Sequence, residues 1–229
     1  MKGEQIPLAV QLRSTASFNT YHAGPNREAV DALRALSVGG LYLYGSAGTG
    51  KTHLLQAAAR EAQQRGLRVS YLPLRSLVAG GAEALDGLTA FDRLCIDDLD
   101  AIDGDIHWNH AVIRLLDRLR TEGSAWCVSA AAGPDRLARL LPDLRTRLSA
   151  LPLFGLRTLG DDDRRLWLRS AAQQRGLELP DDAARWLIHH LPRDTGSLIA
   201  AIEKLDRASL RDKRRLTLVF VQKTLSLLS

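Results

Sequence analysis

Gly45-Ser46-Ala47-Gly48-Thr49-Gly50-Lys51-Thr52 fits the pattern G-x-x-x-x-G-K-[ST] at every position. It follows Leu41-Tyr42-Leu43-Tyr44, a short apolar run that reads as a strand. It opens a helical stretch over 51–65 that ends at Gly66. Strand, glycine loop and helix, in that order, are the context the pattern requires. Glycines let backbone N–H groups wrap a phosphate chain, and the start of the helix adds positive potential. Lys51 stands where an ammonium neutralises the β- and γ-phosphates, and Thr52 where a hydroxyl reaches Mg²⁺; His53 follows in the same turn. The stretch predicts a nucleotide-binding protein with ADP or ATP and Mg²⁺ as cofactors.

Outward from the loop, strands and helices alternate. Further strands are expected over Arg68–Leu72, Arg93–Asp97, Ala125–Ser129 and Pro152–Leu156. Asn26 is placed to cap a helix through about Leu36. Trp108, Ala111, Val112, Leu115 and Leu119 recur at helical spacing up to Gly123, and Pro134–Leu148 reads as helical with a break at Pro142. This grammar predicts an α/β fold with a parallel five-stranded sheet flanked by helices. After Leu159 the strands stop. Asp161, Asp162 and Asp163 open one helix; others start near Pro180-Asp181, Thr195 and Leu218. The expected organisation is a tail over 1–12, an α/β nucleotide-binding domain over 13–158 and a small all-helical domain over 159–229.

A second element strengthens the first. Leu94-Cys95-Ile96-Asp97-Asp98 is an apolar strand ending in two carboxylates, about 45 residues beyond the loop. Asp97 is expected to hold Mg²⁺, directly or through water, and Asp98 takes the place of the carboxylate that orients an attacking water. The chain has 229 residues, 45% hydrophobic and 25% charged, with no apolar run near the ~20 needed to span a bilayer. No secretory signal is evident at Met1-Lys2-Gly3-Glu4-Gln5, so a cytoplasmic location is expected. Cys95 and Cys127 read as reduced core thiols. The net charge of +5 is spread along the chain, and Arg211, Lys213, Arg214 and Arg215, interrupted by Asp212, read as a solvated face. Neither His107/His110 nor His189/His190 supplies a convergent metal-ligand set.

These motifs resemble those of the AAA+ ATPases, and within them the DnaA branch, over nearly the whole chain. Ser17-Phe18-Asn19-Thr20-Tyr21 with Gly24-Pro25-Asn26 is similar to the segment that opens the DnaA nucleotide domain, which implies that Phe18 and Tyr21 lie near the base. The helical part after Leu159 resembles the AAA+ lid. Leu141-Pro142-Asp143-Leu144-Arg145-Thr146-Arg147-Leu148 is similar to the box that carries the arginine finger, which implies that role for Arg147, with Arg145 the runner-up. The chain ends with the lid, without a DnaA-like DNA-binding domain, and so resembles the Hda-type regulators of DnaA. That resemblance implies a sliding-clamp-binding segment near the start, and Gln5-Ile6-Pro7-Leu8-Ala9-Val10 is similar to it. Gln5 would fill a polar subsite, and Ile6, Leu8 and Val10 apolar ones.

Two positions depart from the family pattern. Ala131 falls at the acidic sensor after the fourth strand. Gly196 falls at the lid arginine, with Arg193 about one turn earlier as a substitute nucleotide contact. Such losses predict a protein that holds ADP and hydrolyses ATP poorly. The resemblance implies a DNA replication inhibitor whose partners are DnaA and the β sliding clamp of DNA polymerase III. It implies no membrane and no strong sequence-specific DNA contact, with homo-oligomerisation left open. The alternative is an autonomous AAA+ ATPase such as a helicase loader or a transposition-type ATPase.

Overall fold

The structure, a computed structural model, describes residues 16–86, 88, 91–192 and 195–226. Its strands are β1 (Gly39–Tyr44), β2 (Val69–Pro73), β3 (Arg93–Asp97), β4 (Ala125–Ala130) and β5 (Leu153–Gly155). They form one sheet in the order β2-β3-β4-β1-β5, and every pair is parallel. Both faces of such a sheet are covered by helices, so its central strands read as continuous apolar runs; all of β3 and β4 is buried. The helices of this unit are α1 (Arg27–Ala35), α2 (Lys51–Gln64), α3 (Leu74–Leu77), α4 (Ile106–Thr121) and α5 (Pro142–Ser149). Alternation along β1 splits the core. Leu41 and Leu43 pack with α1 and α2, while Tyr42 joins the cluster of α4 and α5. The five strands and the flanking helices make the parallel α/β fold that the alternation of strands and helices predicts.

The chain divides into two compact units, 1–157 and 158–229. The second is all-helical among its described residues: α6 (Asp161–Gln173), α7 (Asp181–His190), α8 (Thr195–Asp212) and α9 (Leu218–Ser226). Trp167, Leu168, Leu187, Leu198, Ile202, Leu205 and Val221 fill its own core.

Several expectations need correction. Asn26 does not cap α1. Gly24–Asn26 forms a 3-10 turn that runs straight into the helix, and the buried Asn26 amide serves distant partners instead. The helix expected from Pro134 is a 3-10 turn at Pro134–Arg136, and α5 starts only at Pro142, where proline suits the first turn. β1 begins earlier than its apolar run, at Gly39, because it pairs with Ala125 from there. The start of α4 was not legible: Asp105 caps it, its Oδ1 accepting from the N–H groups of His107 at 3.0 Å and Trp108 at 3.2 Å.

Candidate functional site

Because β1 lies between β4 and β5, the loop that follows it opens at the carboxyl ends of the central strands, where ligands bind in open parallel sheets. The loop makes its bend with left-handed glycines, Gly48 at φ 82° and Gly50 at φ 91°. Gly50 also has no room for a side chain: a Cβ there would lie 2.5 Å from the Tyr21 ring. A Cβ on Gly45 would lie 2.6 Å from the Leu156 carbonyl oxygen. Thr49 is buried and closes the loop, its hydroxyl donating to the Ser46 carbonyl at 2.9 Å. Lys51 Nζ donates to the carbonyls of Gly45 at 2.6 Å and Ser46 at 3.1 Å, so the ammonium stays folded over the loop. Burial lowers its pKa, while the carboxylates of Asp97, Asp100 and Asp98 act the other way. The Thr52 hydroxyl, one residue on, is half-buried and makes no hydrogen bond to a described residue.

The segment before α1 is pinned to this loop. Tyr21 Oη donates to the Thr49 carbonyl at 3.1 Å and accepts from Asn26 Nδ2 at 3.0 Å. Asn26 is fixed in turn by Arg157, donating to its carbonyl at 2.9 Å and accepting from its N–H at 2.8 Å. His53 Nε2 donates to the Ser17 carbonyl at 2.9 Å, and its ring lies 5.6 Å from that of Tyr21. His53 therefore braces the segment 17–21 from α2. Phe18 goes to packing: it is buried, with the Arg34 guanidinium 4.9 Å over its ring.

At the end of β3, Asp97 is 1% exposed and surrounded by donors. Tyr71 Oη donates to its Oδ2 at 2.6 Å, the Asp98 N–H donates to its Oδ1 at 3.1 Å, and the Ser129 hydroxyl donates to the same Oδ1. These three donors satisfy a carboxylate that has lost its water. Burial and the charge on Asp97 push the Tyr71 phenol far up, so it stays a donor. Asp98 sits in the left-handed region at φ 57°. Its Oδ2 lies 3.4 Å from Arg75 Nε, and the same guanidinium holds Asp100 Oδ2 at 2.9 Å. Asp100 Oδ1 accepts from the Ala131 N–H at 2.8 Å, so an acid from the segment after β3 reaches the position where the fourth strand supplies none.

Arg147 lies apart from this cluster, on α5. Its Nε donates to Asp143 at 2.9 Å and its other guanidinium nitrogen pairs with Asp117 of α4. The side chain is 35% exposed. Arg145 makes no ion pair with a described residue. α5 is anchored at its start: Asn109, 1% exposed, accepts the Leu141 N–H at 2.9 Å and donates to the carbonyls of Ile102 and Asp105.

The structure thus brings the loop, Tyr21, His53, Asp97 and Asp98 around one end of the sheet and leaves Arg147 facing outward elsewhere. Arg193 and the segment Gln5, Ile6, Leu8 and Val10 lie outside the described residues. Sequence reasoning missed Tyr71, Ser129, Asp100 and Arg75. Only Ser129 carried a signal, as the last residue of its predicted strand. Cys95 and Cys127 are free and buried, register partners on β3 and β4.

The family comparisons agree with this geometry. The model of the bacterial DnaA ATPase domain matches residues 12–154, well over half of the chain. The chain belongs to the DnaA-related AAA+ family. The model of the Hda lid domain matches residues 161–225, which makes the helical unit an Hda-type lid. Among solved structures, domain III of the Thermotoga maritima initiator DnaA superposes with a TM-score of 0.76 at 20% identity, covering 94% of this chain and 98% of that one. AMPPCP-bound DnaA from Aquifex aeolicus gives 0.72 at 22% identity, over 88% and 71% of the two chains. A variant of RuvB from Thermotoga maritima gives 0.66 at 20%, over 90% and 68%. At these identities the likeness is one of fold. Among the described residues no helix is long and apolar enough to cross a membrane, and no group of three His, Cys, Asp or Glu side chains is arranged to hold a metal ion.

The loop fits the phosphates of a nucleotide. The left-handed Gly48 and Gly50 set the bend of the loop, and α2 presents its N-terminus there. Mg²⁺ keeps most of its shell as water and phosphate oxygens, so a single hydroxyl and a single carboxylate, of the kind Thr52 and Asp97 offer, would suffice to hold it.

Proposed function

We propose that this protein is a negative regulator of replication initiation that works with ADP and Mg²⁺ in its loop. In this reading it docks on the DNA-loaded sliding clamp and stimulates hydrolysis of the ATP held by DnaA, with Arg147 as the arginine finger. The observation that carries the reading is the presence in one chain of a DnaA ATPase domain and an Hda-type lid. The AMPPCP in the Aquifex DnaA relative supports a nucleotide at the same loop.

The residues divide the work. Backbone N–H groups of Ser46–Thr52 and the Lys51 ammonium bind the phosphates. Tyr21, held by Asn26 and braced beside His53, closes the base side. Thr52 and Asp97 would hold Mg²⁺, which when bound would neutralise phosphate charge. Tyr71, Ser129 and the Asp98 N–H hold the Asp97 carboxylate in place, and it would meet the ion directly or through water. Asp98, tied to Arg75 and without a sensor side chain at Ala131, activates water poorly, so the protein's own hydrolysis is slow. Arg147 acts on a neighbour instead: swinging out of its exposed pairs with Asp143 and Asp117 costs little, since such pairs contribute about 0–1 kcal/mol each. The cationic fork then meets the charge that develops on the γ-phosphate of DnaA-bound ATP, and DnaA becomes its inactive ADP form. Gln5, Ile6, Leu8 and Val10 supply clamp attachment, and the cytoplasm is where these partners meet.

The test is hydrolysis of ATP pre-bound to DnaA, with DNA-loaded clamp and either the wild-type chain or Gln5→Ala. Clamp-dependent acceleration that Gln5→Ala lowers at least tenfold is the expected result. Fast ATP turnover by the protein alone, abolished by Lys51→Ala and indifferent to clamp, would instead establish an autonomous AAA+ ATPase.

A further inference from the structure

The lid unit carries 13 basic and 10 acidic residues, and one cleft collects the imbalance. It is open, about 490 Å³ in volume, and lies between α8 and α9. Lys204, Arg207, Arg211, Arg214 and Lys223 line it, and Asp212 is the one acidic lining residue. Asp212 is already taken by Arg211, through Nε to Oδ1 at 2.7 Å and a second nitrogen to Oδ2 at 3.2 Å. Lys204, Arg207, Arg214 and Lys223 have no carboxylate within ion-pair distance among the described residues. The charges of Arg214 and Lys223 both reach Asp212 and lower its pKa, after the larger effect of its bond with Arg211. A face of scattered, solvated cations would show separate pairs; here four unpaired cations share one cleft.

The backbone holds that cluster in place. Lys213 adopts φ 51° at the end of α8, a left-handed conformation that costs a non-glycine residue about 1 kcal/mol. The turn is tied on both sides: the Arg214 N–H donates to the Ser209 carbonyl at 3.2 Å, and the Ser209 hydroxyl donates to the Arg214 carbonyl at 2.6 Å. Arg214 is thereby brought back over the cleft.

We infer that the cleft between α8 and α9 binds the phosphodiester backbone of duplex DNA without reading its sequence. Lys204, Arg207 and Arg211 stand at i, i+3 and i+7 on one helix face and span about 10 Å. That spread lets the three cations meet more than one phosphate group of a duplex rather than converge on a single one. A site for a single phosphate would converge its donors on one point, whereas these are spread along a helix. Phe220 is the one aromatic lining residue and is half-buried, so there is no stacking platform for single strands. A membrane-lying helix needs a continuous apolar face, but Leu198, Ala201, Ile202 and Leu205 of α8 are buried in the lid core. The exposed Leu210 and Val219 do not line the cleft.

This inference stands apart from the trans-hydrolysis reading, and its test needs neither DnaA nor clamp. The full chain is titrated against a fluorescein-labelled 30-base-pair duplex of arbitrary sequence, read by anisotropy over a salt series. Micromolar binding is expected, independent of sequence, with single strands of equal length no tighter. Arg207→Glu/Arg214→Glu/Lys223→Glu should weaken it at least tenfold and flatten the salt slope by about 3, at about 0.9 per phosphate contact. The matching Gln triple should give the same direction. Arg114→Glu/Arg120→Glu/Arg185→Glu changes net charge equally at other exposed sites and should leave the duplex affinity within twofold. Equal loss in both Glu triples would overturn the site in favour of net charge alone. Binding to phosphatidylglycerol vesicles with none to duplex would overturn it in favour of a membrane surface. Absence of binding to either would overturn it outright.

Discussion

At Asp97, burial decides what a single hydroxyl is worth. Each of its donors replaces water that the carboxylate has lost, and a hydrogen bond to a charged group contributes about 1.5–3 kcal/mol. Tyr71→Phe removes the donor at Oδ2 together with the hydrogen bond between the phenol and Gln56. It should cost about 2 kcal/mol in chemical denaturation; an unchanged midpoint would mean that water replaces the phenol. Asp98 offers a test with a sign. Burial first, and the charge on Asp97 second, hold its carboxyl above the usual range, against the pull of Arg75. An acid whose folded pKa is raised binds its proton more tightly in the folded state, so its ionised form costs stability at neutral pH. That cost disappears once the pH falls below the unfolded carboxylate pKa of about 3.9. Asp98→Asn also keeps a residue that tolerates φ 57°. Its Tm should exceed that of the wild type at pH 7, with the gain fading as the pH is lowered through the carboxylate range. A lower Tm at pH 7 would mean that the contact with Arg75 outweighs burial.

Between elements, Asn109 has the largest reach. It joins α4 to the start of α5 and so sets where Arg147 stands, one and a half turns further on. Asn109→Ala leaves the Leu141 N–H and two carbonyls without a side-chain partner; unsatisfied buried groups cost about 1–3 kcal/mol each. A loss of at least about 2 kcal/mol in urea unfolding is expected, together with weaker stimulation of DnaA under conditions where the variant stays folded. Elements written in local pattern were legible beforehand: the loop at 45–52, β3 with its terminal carboxylates, the break at Pro142 and the helical grammar after Leu159. What could not be read joins residues far apart in the chain, as in Asn26 with Arg157, Tyr71 with Asp97, Asn109 with Leu141 and Asp100 with Ala131. Asn26 is instructive. Its type and position fit a helix cap, but a buried amide that can satisfy three partners elsewhere is worth more than one exposed cap. Arg75 gave no local signal at all, because its meaning comes from two acids that follow a different strand.

For the molecule as a whole, bound nucleotide is expected to add stability, and Arg147 to supply the proposed action on DnaA. A ligand at 100 times its Kd stabilises the folded state by about 2.7 kcal/mol. ADP with Mg²⁺ should therefore raise the Tm by several degrees, and Lys51→Ala should abolish the rise; a shift that survives the substitution would place the nucleotide elsewhere. The most direct test is single-turnover hydrolysis of ATP bound to DnaA, in the presence of DNA-loaded clamp, ADP and either the wild-type chain or Arg147→Ala. An arginine finger is worth about 10³–10⁵ in rate. The account predicts that Arg147→Ala loses the stimulation by about three orders of magnitude, while its own ADP-dependent rise in Tm and its attachment to the clamp are unchanged. Full stimulation by Arg147→Ala, or its loss in Arg145→Ala alone, would contradict it.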